Sequence, residues 1–130
     1  MKGGVIRWID IPATDVEASA KFYEDAFGWK ITRSDKWPDY PMYSDSEDRV
    51  GGGFDAKLKP SAEAGIFLFI TVDSIEEARA HIEAAGGEVV SDKALIHESV
   101  GWWASFRDVG GNLVALWERP EESVTGNPML

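Results

Sequence analysis

The sequence predicts an α+β protein of two tandem βαβββ modules, whose curved mixed sheet carries helices outside and forms a concave ligand cup inside. A strand, a capped helix and a glycine stop occur in order over residues 5–29, and a weaker copy of this pattern occurs over residues 65–89. Further strand signals follow each copy, so each half of the chain is predicted to form one strand, one helix and three strands.

The first strand is predicted from a period-two pattern. Val5, Ile9 and Ile11 fall on one side of this pattern and are expected to face a core. Trp8 and Asp10 alternate with them, so we expect both side chains on the opposite, concave side.

The first helix is predicted from its capping signals and its spacing. Thr14 is the expected N-cap residue, with Glu17 completing a capping box. Gly28 is expected to end the helix in the left-handed conformation. One apolar stripe repeats at helical spacing: Val16, Ala20, Tyr23 and Phe27.

The second copy contains the same signals in the same order. Its strand alternates two sets of residues, with Phe67, Phe69 and Thr71 on one side and Ile66, Leu68, Ile70 and Val72 on the other. Asp73 is the predicted helix cap, with Glu76 three residues later, and Gly86 closes the helix. The predicted buried stripe consists of Ile75, Ala78, Ile82 and Ala85.

The remaining elements are predicted from shorter signals. Strands are expected at residues 29–32, 42–44 and 49–55 in the first half, with a loop at residues 34–41. In the second half, strands are expected at residues 88–91, 102–107 and 113–118, with an irregular stretch at residues 93–100. The segment 108–112, Asp-Val-Gly-Gly-Asn, predicts a hairpin turn because glycine and asparagine accept positive φ angles.

The chain of 130 residues suits a single domain over residues 1–119. We assign module one to residues 4–57, a linker to residues 58–64 and module two to residues 65–119. Residues 120–130 follow the last periodic segment, and we predict that they form a C-terminal tail.

The composition argues against several functional classes. The net charge of −10 opposes binding to a phosphate backbone, so no nucleic-acid partner is expected. The chain has no cysteine, which excludes disulfides, thiolate metal sites and a cysteine nucleophile. No apolar run approaches membrane-spanning length and no apolar signal core begins the chain, so we predict a cytoplasmic protein without a membrane partner.

The concave side of the predicted sheet is aromatic. Alternation places Trp8, Phe67 and Phe69 there, together with Trp117 and one of Trp102 and Trp103. These rings fit two interpretations, a second core that fills the cup or a small-molecule pocket with aromatic walls. For the pocket, the predicted ligand-binding residues are Trp8, Asp10, Tyr43, Gly52, Phe67, Phe69, Trp103, Ala115 and Trp117.

Three of these residues are chosen for their chemistry. Asp10 shares the side of Trp8, and a desolvated carboxylate there would have a raised pKa and serve as a general base or bind a cation. A hydrogen-bonded structural role for Asp10 is also open. Tyr43 is a polar candidate for the rim. Gly52 lies in a run of three glycines, which indicates either tight packing or a ligand against bare backbone.

The chain resembles the vicinal oxygen chelate superfamily, which includes glyoxalase I, bleomycin-resistance proteins and extradiol dioxygenases. The similarity lies in IDIPATDVEASAKFYEDAFGW, in ITVDSIEEARAHIEAAGGEVV and in GWWASFRDVGGNLVALWER. The last segment contains a pattern typical of the glyoxalase-like branch, FxDxxGNxxxLWE. The resemblance implies two βαβββ modules, a ligand cup and a homodimer.

The resemblance also implies where metal-dependent members hold a divalent ion. The corresponding positions are Trp8, Phe67, Ala115 and a position within residues 50–54, and none offers a donor side chain. The only histidines, His81 and His97, do not suit a shared site. We therefore expect no metal and no other cofactor.

The sequence favours a glyoxalase-like or bleomycin-resistance-like protein that lacks the usual metal ligands and binds a small aromatic or apolar molecule. The alternative is a lyase, isomerase or dioxygenase of the same superfamily, with an atypical metal site or with Asp10 as a metal-free base. A subunit with a closed cup is a third possibility. Whether the protein is an enzyme stays open.

Overall fold

The computed structural model describes residues 6–60 and 66–120 and contains two sheets with one helix each. The first sheet has the order β1-β4-β3-β2, where β1 is Trp8–Pro12, β2 is Lys30–Ser34, β3 is Trp37–Ser44 and β4 is Gly51–Asp55. Helix α1, Val16–Phe27, follows β1. The first strand pairs in parallel with the last, and the other pairs are antiparallel.

The second sheet repeats this arrangement. Its order is β5-β9-β8-β6, where β5 is Phe69–Val72, β6 is Glu88–Val89, β8 is Gly101–Arg107 and β9 is Leu113–Glu118. Helix α2, Ile75–Ala84, follows β5, and β5 again pairs in parallel with the last strand. The α+β class and the modular βαβββ pattern are confirmed. The predicted single curved sheet is present as two separately hydrogen-bonded sheets.

Several local predictions were wrong. Strand β7, Ala94–His97, pairs with β8 inside the stretch predicted to be irregular. Strand β3 begins at Trp37, whereas a loop was predicted over residues 34–41 because its two prolines suggested a break. The two prolines are tolerated there for two reasons. Each proline removes only one backbone N–H donor, and this part of β3 lies beside a shift in its pairing with β2.

Both helix caps lie one residue later than predicted. The Asp15 side chain accepts from the Ala18 backbone N–H, and the Ser74 side chain accepts from the Glu77 backbone N–H. In each case the residue after the predicted cap has extended backbone and a competent oxygen, so it takes the capping role. Gly28 ends α1 with a φ of 72°, as predicted.

Helix α1 joins the two modules through aromatic contacts. The Tyr23 ring stacks on Phe54 of β4 at 5.7 Å, and the Phe22 ring lies 6.1 Å from Phe106 of β8. Helix α1 also packs against α2. The residues of the shared core are Ile11, Ala13, Ala20, Phe22, Tyr23, Ala26, Trp29, Tyr43, Phe54, Ile75, Ala78, Ile82, Ala104, Phe106, Val114 and Leu116.

The predicted turn at residues 108–112 also connects the modules. Asp108 is buried and accepts from the Tyr23 hydroxyl at 2.9 Å and from the Asn112 side-chain amide at 2.8 Å. The same amide donates to the Pro12 carbonyl oxygen at the end of β1. Burial, and then the neighbouring Asp108, raise the pKa of Tyr23 well above its ordinary value, so Tyr23 stays protonated.

Some predictions about domain limits cannot be compared with the structure. Most of the linker at residues 58–64 and nearly all of the tail at residues 120–130 lie outside the described residues, as does Val5 of the first strand. The module limits stay predictions. No helix in the described parts of the chain combines the length and the apolar character that a membrane span requires.

Candidate functional site

Each sheet has one side against the helices and one side without helix cover, which we call the helix-free face. The strand pairing shows which residues belong to this face. In the first sheet, Trp8 pairs with Gly51, and both Asp10 and Met42 pair with Gly53. In the second sheet Ser105 pairs with Ala115, and Trp103 pairs with Trp117. Residues directly opposite in a ladder point to the same side. The structure thus distinguishes Trp103, on the helix-free face, from Trp102, which packs against the core.

Large apolar side chains on the helix-free face are exposed. Trp8 is 54% exposed, Phe69 is 52% exposed and Phe67 is 39% exposed. The Phe67 and Phe69 rings contact each other edge to face at 5.1 Å. Exposed aromatic groups of this size are a feature of ligand or protein contact sites. Among the described residues, no ring contact joins Trp8 to Phe67 or Phe69.

Three side chains of the first sheet form a hydrogen-bonded group, which we call the Trp8 cluster: Trp8, Asp10 and Tyr40. The indole Nε1 of Trp8 donates to the Tyr40 Oη at 2.9 Å and to the Asp10 Oδ1 at 3.2 Å. The Tyr40 hydroxyl donates to the same Asp10 Oδ1. Burial, followed by the hydrogen bond to Asp10, raises the pKa of Tyr40, so its hydroxyl remains a donor at neutral pH.

Gly53 of β4 makes room for this cluster, because a Cβ atom there would overlap the Tyr40 ring. A Cβ atom on Gly51 would lie at an ordinary contact distance of 3.6 Å from the Trp8 indole and at 3.0 Å from the Tyr43 carbonyl oxygen. The glycine run therefore serves the tight packing that was one of the two interpretations. The groups nearest to these glycines belong to the protein itself, namely the Tyr40 ring at Gly53 and the carbonyl oxygens of Tyr43 and Ile9 at Gly51 and Gly52.

Two predicted ligand-binding residues point the other way. Tyr43 is 5% exposed, stacks on Trp29 at 4.6 Å and donates to the Ile9 carbonyl oxygen at 2.7 Å, so it belongs to the core side of the sheet. Gly52 pairs with Tyr43, and a Cβ atom there would overlap the Ile9 carbonyl oxygen. Tyr43 and Gly52 therefore face the core and not the helix-free face, because successive residues of a strand alternate sides. Their role in ligand binding stays a prediction.

The remaining predicted residues lie on the second sheet. Trp117 donates its indole N–H to the Val100 carbonyl oxygen at 2.9 Å, and the Arg119 guanidinium lies 5.1 Å from its ring. Ala115 is buried, and Ser105, its ladder partner, exchanges a hydrogen bond with Ser91. This sheet presents mainly rings, with polar groups largely bonded to the protein.

The polar site differs from the prediction at Asp10 and Tyr40. Asp10 is exposed on the helix-free face, so the desolvation on which its predicted role as a base depended is absent. Tyr40 was not predicted, because it fell in the expected loop. The alternation of side chains along a strand identifies Tyr40, because Tyr40 lies two residues before Met42 and therefore on the same side of β3.

The positions that the superfamily uses for metal do not suit an ion here. Trp8, Phe67, Ala115 and residues 50–54 carry no side-chain oxygen or nitrogen with an available lone pair. Over residues 6–60 and 66–120, no group of three or more His, Asp or Glu side chains is arranged to hold a metal.

Two cavities lie between the modules. The larger, about 760 Å³, runs between the end of α1, the face of α2 and β5, and only Tyr43 and Phe69 of the predicted residues line it. The smaller, about 300 Å³, lies between β1 and the start of β9, and Asp10 contributes to it. Two carboxylates that line the larger cavity interact with the protein itself. Asp25 forms an ion pair with Lys21, and Asp45 accepts hydrogen bonds from three backbone amides.

Comparison with known proteins agrees with this architecture. A glyoxylase-like domain-containing protein of Didymella fabae is 32% identical over 90% of this chain and 95% of its own length. The anthracycline biosynthesis protein DnrV of Streptomyces peucetius is 28% identical over 96% of this chain, which spans 52% of that protein. The antibiotic binding protein TnmS3 from Streptomyces sp. CB03234 has the same fold, with a TM-score of 0.71 at 18% identity over 92% of this chain and 98% of its own.

The family model of the Glyoxalase/Bleomycin resistance protein/Dioxygenase superfamily matches residues 5–116, nearly the whole described chain. The parallel pairing of first and last strands in both halves, with one helix after each first strand, is the modular pattern that the resemblance implied. The chain belongs to the Glyoxalase/Bleomycin resistance protein/Dioxygenase superfamily.

Proposed function

We propose that this protein binds a small aromatic or apolar organic molecule on its helix-free face, without a metal ion. The observation that carries the proposal is the exposure of Trp8, Phe67 and Phe69 on the side opposite a complete aromatic core. These rings are not required to close the core. A flat ligand placed against them would remove apolar area from water, which favours binding.

The comparisons support a small-molecule ligand in general terms. TnmS3 is described as an antibiotic binding protein, and DnrV is described as an anthracycline biosynthesis protein. Sequence identity to the first is low, so its ligand does not transfer to this chain. A ligand of the same broad kind, organic and ring-containing, fits the rings of the helix-free face.

A thermal-shift screen of small aromatic compounds tests the proposal. We expect hits whose stabilisation is lost in Trp8→Ala. Trp37→Ala is the matched control, since Trp37 is similarly exposed at 57% but lies outside the Trp8 cluster. Hits that respond equally to both substitutions, or no hits at all, would count against a ligand site on this face.

The metal-free part of the proposal has its own test. The side chains at the positions where the superfamily binds metal have no atom that can coordinate an ion. We therefore expect protein purified without chelators to contain less than one transition-metal ion per chain. Elemental analysis measures this directly. A stoichiometric ion that resists dialysis would contradict the proposal.

A metal-free lyase or isomerase remains the second candidate, with Asp10 as the base. The hydrogen bond from Tyr40 to Asp10 favours it, because the pair provides a proton donor and an acceptor side by side. Deuterium incorporation into small ketones or aldehydes, followed by NMR and compared with Asp10→Asn, would detect such proton transfer. A dioxygenase has no support from the donor set of this face.

We also propose a homodimer in the cytoplasm. Trp8 at the first sheet and Phe67 and Phe69 at the second are exposed apolar side chains, and a second copy would bury part of this apolar area. Light scattering of the purified chain should give twice the monomer mass of 14.3 kDa, and Phe69→Ser should shift the population towards monomer. A monomer at high concentration would exclude the dimer.

A further inference from the structure

The Trp8 cluster leaves one oxygen of Asp10 available. Both donors, the Trp8 indole N–H and the Tyr40 hydroxyl, bind Oδ1. No described residue donates to Oδ2, and Asp10 forms no ion pair within the described parts of the chain. Two neutral donors thus fix the carboxylate, and over residues 6–60 and 66–120 no cationic side chain pairs with it.

The two side chains that hold Asp10 are aromatic. The Trp8 indole covers Gly51 on one side and remains 54% exposed, and the Tyr40 ring covers Gly53. The electron-rich faces of indole and phenol rings attract cations, and a carboxylate next to them adds a charge-assisted hydrogen bond. An anionic ligand group would instead be repelled by Asp10 and by a chain with a net charge of −10.

We infer that the Trp8 cluster is a subsite for an ammonium group, and that the protein's ligand is an amine with an aromatic or apolar body. This inference rests on the proposed function, since it assigns the chemical class of the same ligand. The amine N–H donates to the Oδ2 atom of Asp10, while the indole of Trp8 contacts the cation or the carbons next to it. Gly53 of β4 is part of the subsite because a larger residue there would displace the Tyr40 ring.

A matched set of probes separates the charge from the ring. 2-Phenylethylamine, 2-phenylethanol and 3-phenylpropionate share a phenyl body and differ in charge, and calorimetry or ligand-observed NMR at neutral pH gives their affinities. We expect the amine to bind the native protein at least about tenfold more tightly than the alcohol, and the carboxylate to bind more weakly than both.

Asp10→Asn should remove the preference for the amine while leaving the alcohol's affinity nearly unchanged. Tyr40→Phe should reduce the preference less, because the carboxylate stays but loses one of its two fixing donors. Asp39→Asn is the control: it removes the same charge from an exposed residue beside Tyr40 that is not part of the cluster. It should keep the amine preference.

Three results would overturn the inference. These are equal binding of amine and alcohol by the native protein, an amine preference that survives Asp10→Asn, and an equal loss in Asp39→Asn, which would indicate a general field effect. In each case the alcohol's binding, and its dependence on Trp8, would still support the proposed function. If no probe binds and Trp8→Ala changes nothing in the wider screen, the proposed function fails as well.

Discussion

The two sheets are alike on the side that faces the helices and differ on the side that does not. Facing the helices, Ile11 and Phe54 of the first sheet correspond to Ile70 and Leu116 of the second, all of them apolar. On the helix-free face, the first sheet has a hydrogen-bonded polar cluster above glycines, whereas the second has rings with few available polar groups.

This difference shows that the two modules share apolar residues on the side that faces the helices but not the polar side chains of the helix-free face. The helix-facing residues must fill a shared core at high density, so each half meets the same physical requirement. The helix-free faces have no common partner and can diverge. The polar chemistry of the molecule is therefore concentrated on the first sheet, and its apolar contact area is concentrated on the second.

Gly52→Ala should have the largest effect of the changes that probe this difference. The added Cβ atom would overlap the Ile9 carbonyl oxygen, so the parallel pairing of β1 with β4 would have to separate. We expect the free energy of unfolding to fall by about 3 kcal/mol or more, measured by urea denaturation.

The control for that substitution lies in the second sheet. Ala115→Gly occupies the ladder between β5 and β9, where the structure already accommodates a side chain. It should cost only about 1 kcal/mol, the usual penalty for glycine within a strand. Equal losses for the two changes would mean that the glycine run is not a special feature of the first sheet.

Much of the helix-facing side could be predicted from the sequence, because burial there produces regular periodicity. Of the two predicted stripes, five residues are buried, and Val16, Phe27 and Ala85 are partly buried against the same core. The five buried residues are Ala20, Tyr23, Ile75, Ala78 and Ile82. The parity of β5 and β9 likewise placed Phe69 and Trp117 together. These signals are strong because every residue in the pattern meets the same apolar environment.

The Trp8 cluster was harder to predict for a physical reason. Its geometry depends on the register of three strands, and a shift of one residue moves Tyr43 to the face and Tyr40 to the core. The prolines at positions 38 and 41 obscured the strand that fixes this register. Tyr43 was chosen and Tyr40 was missed, although both residues have the same chemistry.

Tyr23→Phe tests the junction that makes the two halves one core. The Tyr23 hydroxyl donates to buried Asp108 at 2.9 Å, and its loss should cost about 1.5–3 kcal/mol near neutral pH because the acceptor is charged. Asp108 would keep its bonds from Asn112 and Gly110. Denaturation at pH 7 measures this loss.

The same variant should change the response to alkaline pH. The pKa of Tyr23 is raised in the folded protein above its ordinary value of 10.0, so the unfolded chain loses this proton first as pH rises. The contribution of Tyr23 to the free energy of unfolding should therefore be constant below about pH 10 and fall above it. The fall should be shallower in Tyr23→Phe, and identical slopes would contradict the assignment.

Lys93→Met tests whether the second module depends more on its ion pairs than the first. The Lys93 Nζ lies 3.0 Å from Glu118 and 3.1 Å from Glu76, and its side chain is 22% exposed. We expect a loss of about 1 kcal/mol. Lys30→Met, which breaks an exposed pair with Asp48, should cost less than about 0.5 kcal/mol, and the opposite order would reverse the comparison.

Tyr40→Phe should have the smallest effect on stability. It therefore tests whether the Trp8 cluster is needed for folding. The phenol ring that covers Gly53 is kept, and the lost hydroxyl is replaced by water on an exposed carboxylate, so the free energy of unfolding should change by less than about 0.5 kcal/mol. Tyr43→Phe is the matched change on the core side. It leaves the Ile9 carbonyl oxygen without that partner and should cost about 1 kcal/mol. If Tyr40→Phe proved the more destabilising of the two, the Trp8 cluster would be a structural brace between β1 and β3. A small loss from Tyr40→Phe would mean that folding does not depend on the hydroxyl, as the proposed role in ligand binding expects.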